Sequence, residues 1–484
     1  MKQGAQAILD RFMPLFAPRT IAVVGASTKG GSGANVFIRR MREFGYRGTI
    51  YPIHPSAAEI DGLPAYRSLA ECPQAIDYAY VSVAAQHVPE LLARANGRVR
   101  FAQVISSGFG EVDEGKELQD ALVAAARKGG ARLLGPNCLG MYSPRGRLTF
   151  VEDGSAEIGH VGVISQSGGL GTDIVRRGQV RGLRFSGLVT VGNSADIGPN
   201  DLLEFYLVDP QTRVIGMYIE AVEDGRRFFD VLREAKAAKP VVILKGGRTS
   251  QGRMAAASHT GALAGDDRVW IALSRQTGCI LVDTLDQFID TLLVFQALMP
   301  RPARPTRRVV LFGNGGGTSV LATDFYARLG LDVKPFGKET IDGLAALRLP
   351  PGTSIVNPID TPVGTLQQEE GRIAEKILDT IFGTADPEAL VMHLNLAAFV
   401  GRTRTDIMGN LIQAALRVQS KYPGKAHFVL VLRSDGERDV EERKRTFRTR
   451  AIELGIPVYD EMVNAGYALA ALQAQERFQH TRGA

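Results

Sequence analysis

The stretch HVGVISQSGGLGTDI, His160–Ile174, decides the fold. Its first half is a short apolar run, its middle a cluster of Ser and Gly, and its end opens an amphipathic segment. A short apolar run closed by Gly reads as a buried strand, and the change of period after it reads as a helix. The same unit recurs on both sides. Upstream, TIAVVGAS (Thr20–Ser27) precedes VFIRRMREF, YAYVSVA (Tyr78–Ala84) precedes VPELLARA, and FAQVISSG (Phe101–Gly108) precedes LQDALVAAARK and then RLLGPN. Downstream come FSGLVTVGN, VIGMYIEA, PVVILKGG and CILVDT, then VVLFGNGGG, ALVMHLNLA, HFVLVLRS and IPVYD. Strands alternating with helices, with Gly, Ser or Asn at the strand ends, specify an α/β chain of parallel, doubly wound sheets. Ligands bind such sheets beyond the carboxyl ends of the strands. The layout gives three units, residues 1–146, 147–298 and 309–484. Residues 299–308, MPRPARPTRR, carry three prolines and four arginines and read as the linker.

The chain has 484 residues, too many for one core. Its 57 Lys and Arg against 51 Asp and Glu leave a charge of +6, a weak hint of anionic ligands. No dense basic block with interleaved aromatics suggests nucleic acid. The basic run RKRTFRTR, Arg443–Arg450, reads as the solvated face of a helix. Cys72, Cys138 and Cys279 lie far apart, with no CxxC and no metal-ligand spacing, which points to a reduced, cytoplasmic setting and no metal. The segment MKQGAQAILDRFMPLFAPRT has no continuous apolar core and is not a signal peptide. No apolar run approaches the ~20 residues that a membrane span needs.

Three junctions can hold anions. At VVGASTKGGSGANVF (Val23–Phe37) a Gly/Ser-rich turn meets a helix, where backbone N–H groups and the helix dipole favour phosphate. It departs from G-x-G-x-x-G, and TIYPIHP ends without the acid that grips an NAD ribose, so NAD is disfavoured. Its alternative is a Gly-rich turn with no ligand. Ser165, Gln166, Ser167, Gly168 and Gly169 form the second nest; its alternative is a Ser N-cap with glycines for close packing. Gly313–Ser319 resembles both, with a purely structural turn the stronger alternative there.

Among the histidines, His54, His87, His160, His393, His427 and His480 read as structural or solvated. His259 differs. It sits in AAASHTGALAG, Ala255–Gly265, which reads as a small-residue loop ahead of the helix DDRVWIALSRQTG. The positive end of that helix disfavours an imidazolium and favours a phosphate, so His259 is a candidate phosphoryl carrier. Glu220 ends the strand VIGMYIEA and is placed to orient an imidazole N–H; its alternative is a solvated strand-end acid.

In order and spacing, GAS, ISQSGG, VTVGNSADI, YIEAVED, KPVVILKGGRT and SHTGALAG resemble the α subunit of the ADP-forming (NDP-forming) acyl-CoA synthetases, acetate–CoA ligases related to the succinyl-CoA synthetase α subunit. GPNCLG, Gly135–Gly140, and NPID, Asn357–Asp360, fit the same family. The resemblance spans nearly the whole chain. It implies a Rossmann-like CoA-binding domain (1–146) and two flavodoxin-like, succinyl-CoA-synthetase-like domains, 147–298 with the phosphohistidine loop and 309–484. It further implies that His259 is the phosphohistidine and Glu220 its orienting carboxylate, with Ser165–Gly169 as the phosphate nest. Gly25, Ala26, Ser27, Pro55, Ser82 and Ser107 would lie near CoA, and Asn137 and Cys138 near its thiol end. Ser56–Ser68, SAAEIDGLPAYRS, departs from the Lys and Gly pattern that the family leads one to expect in the CoA loop. The ATP-grasp domain that binds ATP or ADP with Mg matches none of the three units, so the chain is expected either to pair with a separate ATP-grasp β subunit, within a homo- or hetero-oligomer, or to lack a full reaction. The rival reading is a CoA or acyl-CoA binding sensor or scaffold without turnover; Glu220 and His259 argue against it, since a binder needs neither.

Overall fold

The computed structural model describes residues 2–260, 266–399 and 406–483. It divides into two compact units, Met1–Phe288 and Ile289–Ala484.

The first unit opens with α1 (Lys2–Phe16), β1 (Thr20–Val24), α2 (Gly33–Glu43) and β2 (Thr49–Ile53). A small antiparallel hairpin, β3 (Glu59–Ile60) and β4 (Leu63–Pro64), precedes β5 (Ile76–Val81), α3 (Val88–Ala93), β6 (Val99–Val104), α4 (Lys116–Lys128) and β7 (Arg132–Leu134). The five long strands form a wholly parallel sheet in the order β2-β1-β5-β6-β7. A second sheet follows from β8 (Met141–Tyr142), β9 (Val161–Ser165), β10 (Phe185–Thr190), β11 (Val214–Ile219), β12 (Val241–Lys245) and β13 (Ile280–Val282). Its order is β13-β12-β11-β9-β10-β8, parallel except for β8 at the edge. Its helices are α5 (Gly168–Arg181), α6 (Pro199–Val208), α7 (Gly225–Ala235), α8 (Ser250–Thr260) and α9 (Asp267–Thr277). Helices on both faces explain why β1, β9 and β12 are buried at every position and read as unbroken apolar runs.

Helix α1 ties the two cores of this unit together. Phe12 stacks on Phe101 of β6 at 6.1 Å, and Phe16 stacks on Phe205 of α6 at 4.1 Å. Both phenylalanines are buried, each worth roughly 1.5–3 kcal/mol of transfer free energy.

The second unit holds β14 (Val309–Gly313), β15 (Ile359–Asp360), β16 (Ala389–Asn395), β17 (His427–Arg433) and β18 (Val458–Tyr459), parallel in the order β15-β14-β16-β17-β18. Residues 299–308, expected as a linker, are fastened to this unit. The backbone N–H groups of Arg301 and Thr306 donate to the buried carboxylate of Glu476 at 2.9 and 2.6 Å, and those of Arg307 and Arg308 to Glu388 at 2.9 and 2.7 Å. In the basic run Arg443–Arg450, Arg443, Arg445 and Arg450 are exposed as expected of a solvated helix face, but two residues are not. Lys444 and Arg448 turn inward and pair with Asp460, because a helix of this length must offer one side to the sheet.

Candidate active site

In the first sheet the strand order reverses at β1, and the loops after β1 and β5 meet there. Gly25 has φ +98, and a Cβ on it would stand 2.1 Å from the Ser82 carbonyl, so only glycine fits. The turn after it is organised by Asn35, a fully buried residue that sequence reading missed. Its Oδ1 accepts from the Ser27 N–H (2.8 Å) and the Ser32 hydroxyl (2.6 Å), and its Nδ2 donates to the Ser27 carbonyl and to Asp61. Ser32 caps α2, the helix that follows the carboxyl end of β1. Ala26 is buried, Ser27 and Ser82 are half-buried, and Pro55 and Ser107 are exposed. Asn137 is exposed with φ +58, whereas Cys138 turns its thiol inward toward the Leu134 and Val104 carbonyls, and burial pushes that thiol up to about 12. Asn193, in the loop after β10, donates to Gln119 at 3.0 Å and to Glu111 and receives a bond from Asn137 at 3.4 Å, which joins loops of the two sheets.

In the second sheet the order reverses at β9, and its loop meets the one after β11. The Gln166 N–H donates to the Tyr218 carbonyl at 3.1 Å, and its side-chain Oε1 accepts from the backbone N–H groups of Glu220 and Ala221. Ser167 caps α5 by accepting from the Leu170 N–H, and the Ser165 hydroxyl donates to the Ser167 carbonyl. The nest is thus an N-capped helix start, and the capped turn still presents the open face at Gly169, where an added Cβ would meet nothing within 4 Å.

Glu220 is 5% exposed, which removes the reading as a solvated strand-end acid. Its Oε1 accepts from the Tyr218 hydroxyl at 2.8 Å. Burial and the Glu220 charge both raise the Tyr218 phenol, so it stays a donor. Beside it, Lys245 closes β12 in register with Ile219. Its Nζ donates to the Glu220 carbonyl at 2.8 Å and to the Gly246 carbonyl, and lies 5.4 Å from the centre of the Trp270 ring. Burial pushes this ammonium down to about 8, against the pull of Glu220. Glu220 and Lys245 line a cavity of about 810 Å³ whose walls are Phe228 and Phe229 of α7 and Trp270 and Leu273 of α9. Lys245 and Tyr218 also escaped sequence reading; a lysine ending the otherwise apolar run PVVILK was the signal.

The segment Ala255–Gly265 does not begin as a loop. Its backbone is helical through Thr260, so His259 stands on the last turn of α8. Alanine is the strongest helix former, and the run Ala255–Ala257 extends the helix where lack of bulk suggested a turn. The His259 side chain and residues 261–265 lie outside the described residues. The expected following helix is present as α9, capped by Asp266. Among the described residues no group of three or more His, Cys, Asp or Glu could hold a metal ion, and no helix is long and apolar enough to cross a membrane.

Two families match this chain: the CoA binding domain over residues 19–144 and the succinyl-CoA ligase-like flavodoxin domain over residues 158–295. The α subunit of ADP-forming acetate–CoA ligase I of Pyrococcus furiosus is 36% identical over 469 residues, 95% of this chain and 96% of that one. The chain belongs to the α-subunit family of the ADP-forming acyl-CoA ligases. A longer relative, the ADP-forming acetate–CoA ligase I of Archaeoglobus fulgidus, is 36% identical over 72% of this α-type chain and 50% of its own length. Among solved structures, the dinucleotide-forming acetyl-coenzyme A synthetase 1 of Ca. Korarchaeum cryptofilum, in complex with phosphate and ADP, superposes with a TM-score of 0.82 at 29% identity, over 98% of both chains. The α-subunit family thus accounts for the CoA-binding first sheet and for the flavodoxin-like second sheet that carries Glu220.

Proposed function

We propose that this chain is the CoA-binding, phosphohistidine-bearing subunit of an NDP-forming acyl-CoA synthetase, catalysing acid + CoA + ATP ⇌ acyl-CoA + ADP + phosphate. Read toward ATP, a phosphate oxygen attacks the thioester carbonyl and CoA leaves as the thiol, giving an acyl phosphate. The imidazole of His259 then attacks phosphorus, the P–O bond to the acyl group breaks, and the carboxylate leaves. Phosphohistidine passes its phosphoryl group to ADP. Glu220 orients the imidazole, and Ser165–Gly169 hold the phosphate with fixed N–H donors. CoA lies against Gly25, Ala26, Ser27, Pro55, Ser82 and Ser107, its thiol end toward Asn137 and Cys138. The division of labour follows residues 1–146, 147–298 and 309–484.

The observation that carries this reading is the meeting of the second nest with buried Glu220 at the point where the sheet order reverses, through Gln166. We assign the nucleotide, with its Mg, to an ATP-grasp partner. This rests on the relative named a subunit and on the longer one that carries additional chain. The three buried free thiols, Cys72, Cys138 and Cys279, support a reducing, cytoplasmic setting. The test mixes the purified chain with acyl-CoA and radiolabelled phosphate. Acid-labile, base-stable label is expected on the unmodified chain and absent from His259→Ala; equal labelling of both removes His259 from the reaction.

A further inference from the structure

We infer that Lys245 is a positioning residue for Glu220: a buried ammonium that pins the end of β11 through the Glu220 carbonyl and adds a positive charge near the carboxylate. The inference rests on the role proposed for Glu220 but adds a group that role does not require. Three observations support it.

Lys245 is 5% exposed, and burying an ammonium is costly unless its charge is used. A methionine could fill the same space against Trp270 but would leave both carbonyls without their donor. Lys245 bonds the carbonyls of Glu220 and Gly246, and Glu220 and Lys245 both line the 810 Å³ cavity. The charged and titratable groups around Lys245 are Glu220 with Tyr218 on the β11 side, Arg248 and Arg253 beyond β12, and Asp267 on α9. Arg248 and Asp267 pair with each other, so Glu220 is the carboxylate left facing Lys245 from β11.

The experiment measures the rate of phosphate labelling of the full chain between pH 6.5 and 9.5, using the acyl-CoA that labels the unmodified chain best. Lys245→Met, Lys245→Arg and Glu220→Gln are compared with it, and each is melted. The unmodified chain is expected to lose rate with a midpoint near pH 8, as Lys245 loses its proton. Lys245→Met should be slower at pH 7 by about ten- to a hundredfold, the cost of a misplaced reacting group, and insensitive to pH in that window. Lys245→Arg should keep rate at pH 7 and lose the alkaline fall. Melting of Lys245→Met is expected to fall, since Glu220 and two carbonyls lose a buried partner, so its labelling is compared at equal folded fraction. The inference is overturned if Lys245→Met keeps both the rate and the alkaline fall, or if its slower labelling is matched by loss of folded protein. If Glu220→Gln labels normally, the proposed role of Glu220 fails and this inference with it. If Glu220→Gln is silent while both lysine variants match the unmodified chain, only the inference fails.

Discussion

Gln166 joins two strand ends through one side-chain oxygen. Its Oε1 takes the N–H groups of both Glu220 and Ala221, so the glutamate's backbone is fixed from the nest side. Gln166→Ala would leave both donors without that acceptor at a half-buried position. The expected loss is about 1–3 kcal/mol by urea denaturation, with phosphate labelling reduced more than the folded fraction explains. Ser165–Gly169 and Glu220 are legible from sequence, because glycine clusters and strand-end acids follow from local chemistry. The link through Gln166 is not, since which strands become neighbours depends on the sheet order. His259 shows the opposite failure. Its small neighbours suggest a turn only if bulk is weighed above propensity, and alanine's propensity prevails through Thr260.

At the scale of elements, the proline- and arginine-rich segment 299–308 illustrates how composition misleads. Prolines mark a break in regular structure, but they do not say whether the segment is loose. Here a buried carboxylate answers that question. Glu476 is fully buried and accepts from the N–H groups of Arg301 and Thr306 and meets Nε2 of His427 at 3.1 Å. Burial alone would raise its carboxyl, but His427 and the two N–H groups outweigh it and hold it below the ordinary 4.5. Glu476→Ala strips three partners at once and should cost the second unit about 3–5 kcal/mol in denaturant unfolding. A loss under about 1 kcal/mol would mean that water replaces the carboxylate. The basic helix Arg438–Glu453 teaches the same lesson from the other side. Its charges look uniform in sequence, yet Lys444 and Arg448 are drawn in by Asp460, a residue from the strand end that follows.

Across the whole molecule, the alternation of strands and helices was enough to specify three largely parallel sheets, because the central strands are buried on both faces and cannot hide their apolar runs. The strand orders were not legible, nor was the edge strand β8, only two residues long. A consequence of burying polar groups in such sheets is sensitivity to acid. His393 of β16 is fully buried, bonds Ser319 through Nε2 at 3.1 Å, and is pushed down to about 4, by burial first and by Arg433 second. The unfolded chain binds this proton near 6.5 and the folded chain does not, so stability is lost as pH falls from 6.5 toward 4. Between pH 7 and pH 5 the loss from this residue is on the order of 2 kcal/mol. His393→Gln, which cannot titrate, should therefore show a smaller drop in urea-unfolding free energy over that interval. An identical drop in both proteins would assign the acid sensitivity elsewhere.

Helix α1 has a practical corollary. The match to the CoA binding domain begins at residue 19, which invites excision of that domain from there. Such a fragment would be cut on the wrong side of Phe12 and Phe16. It would uncover Phe101, and any piece retaining α6 would uncover Phe205 as well. Aromatic faces of that size, laid open to water, promote self-association. The first seventeen residues therefore belong in any recombinant version of the CoA-binding half.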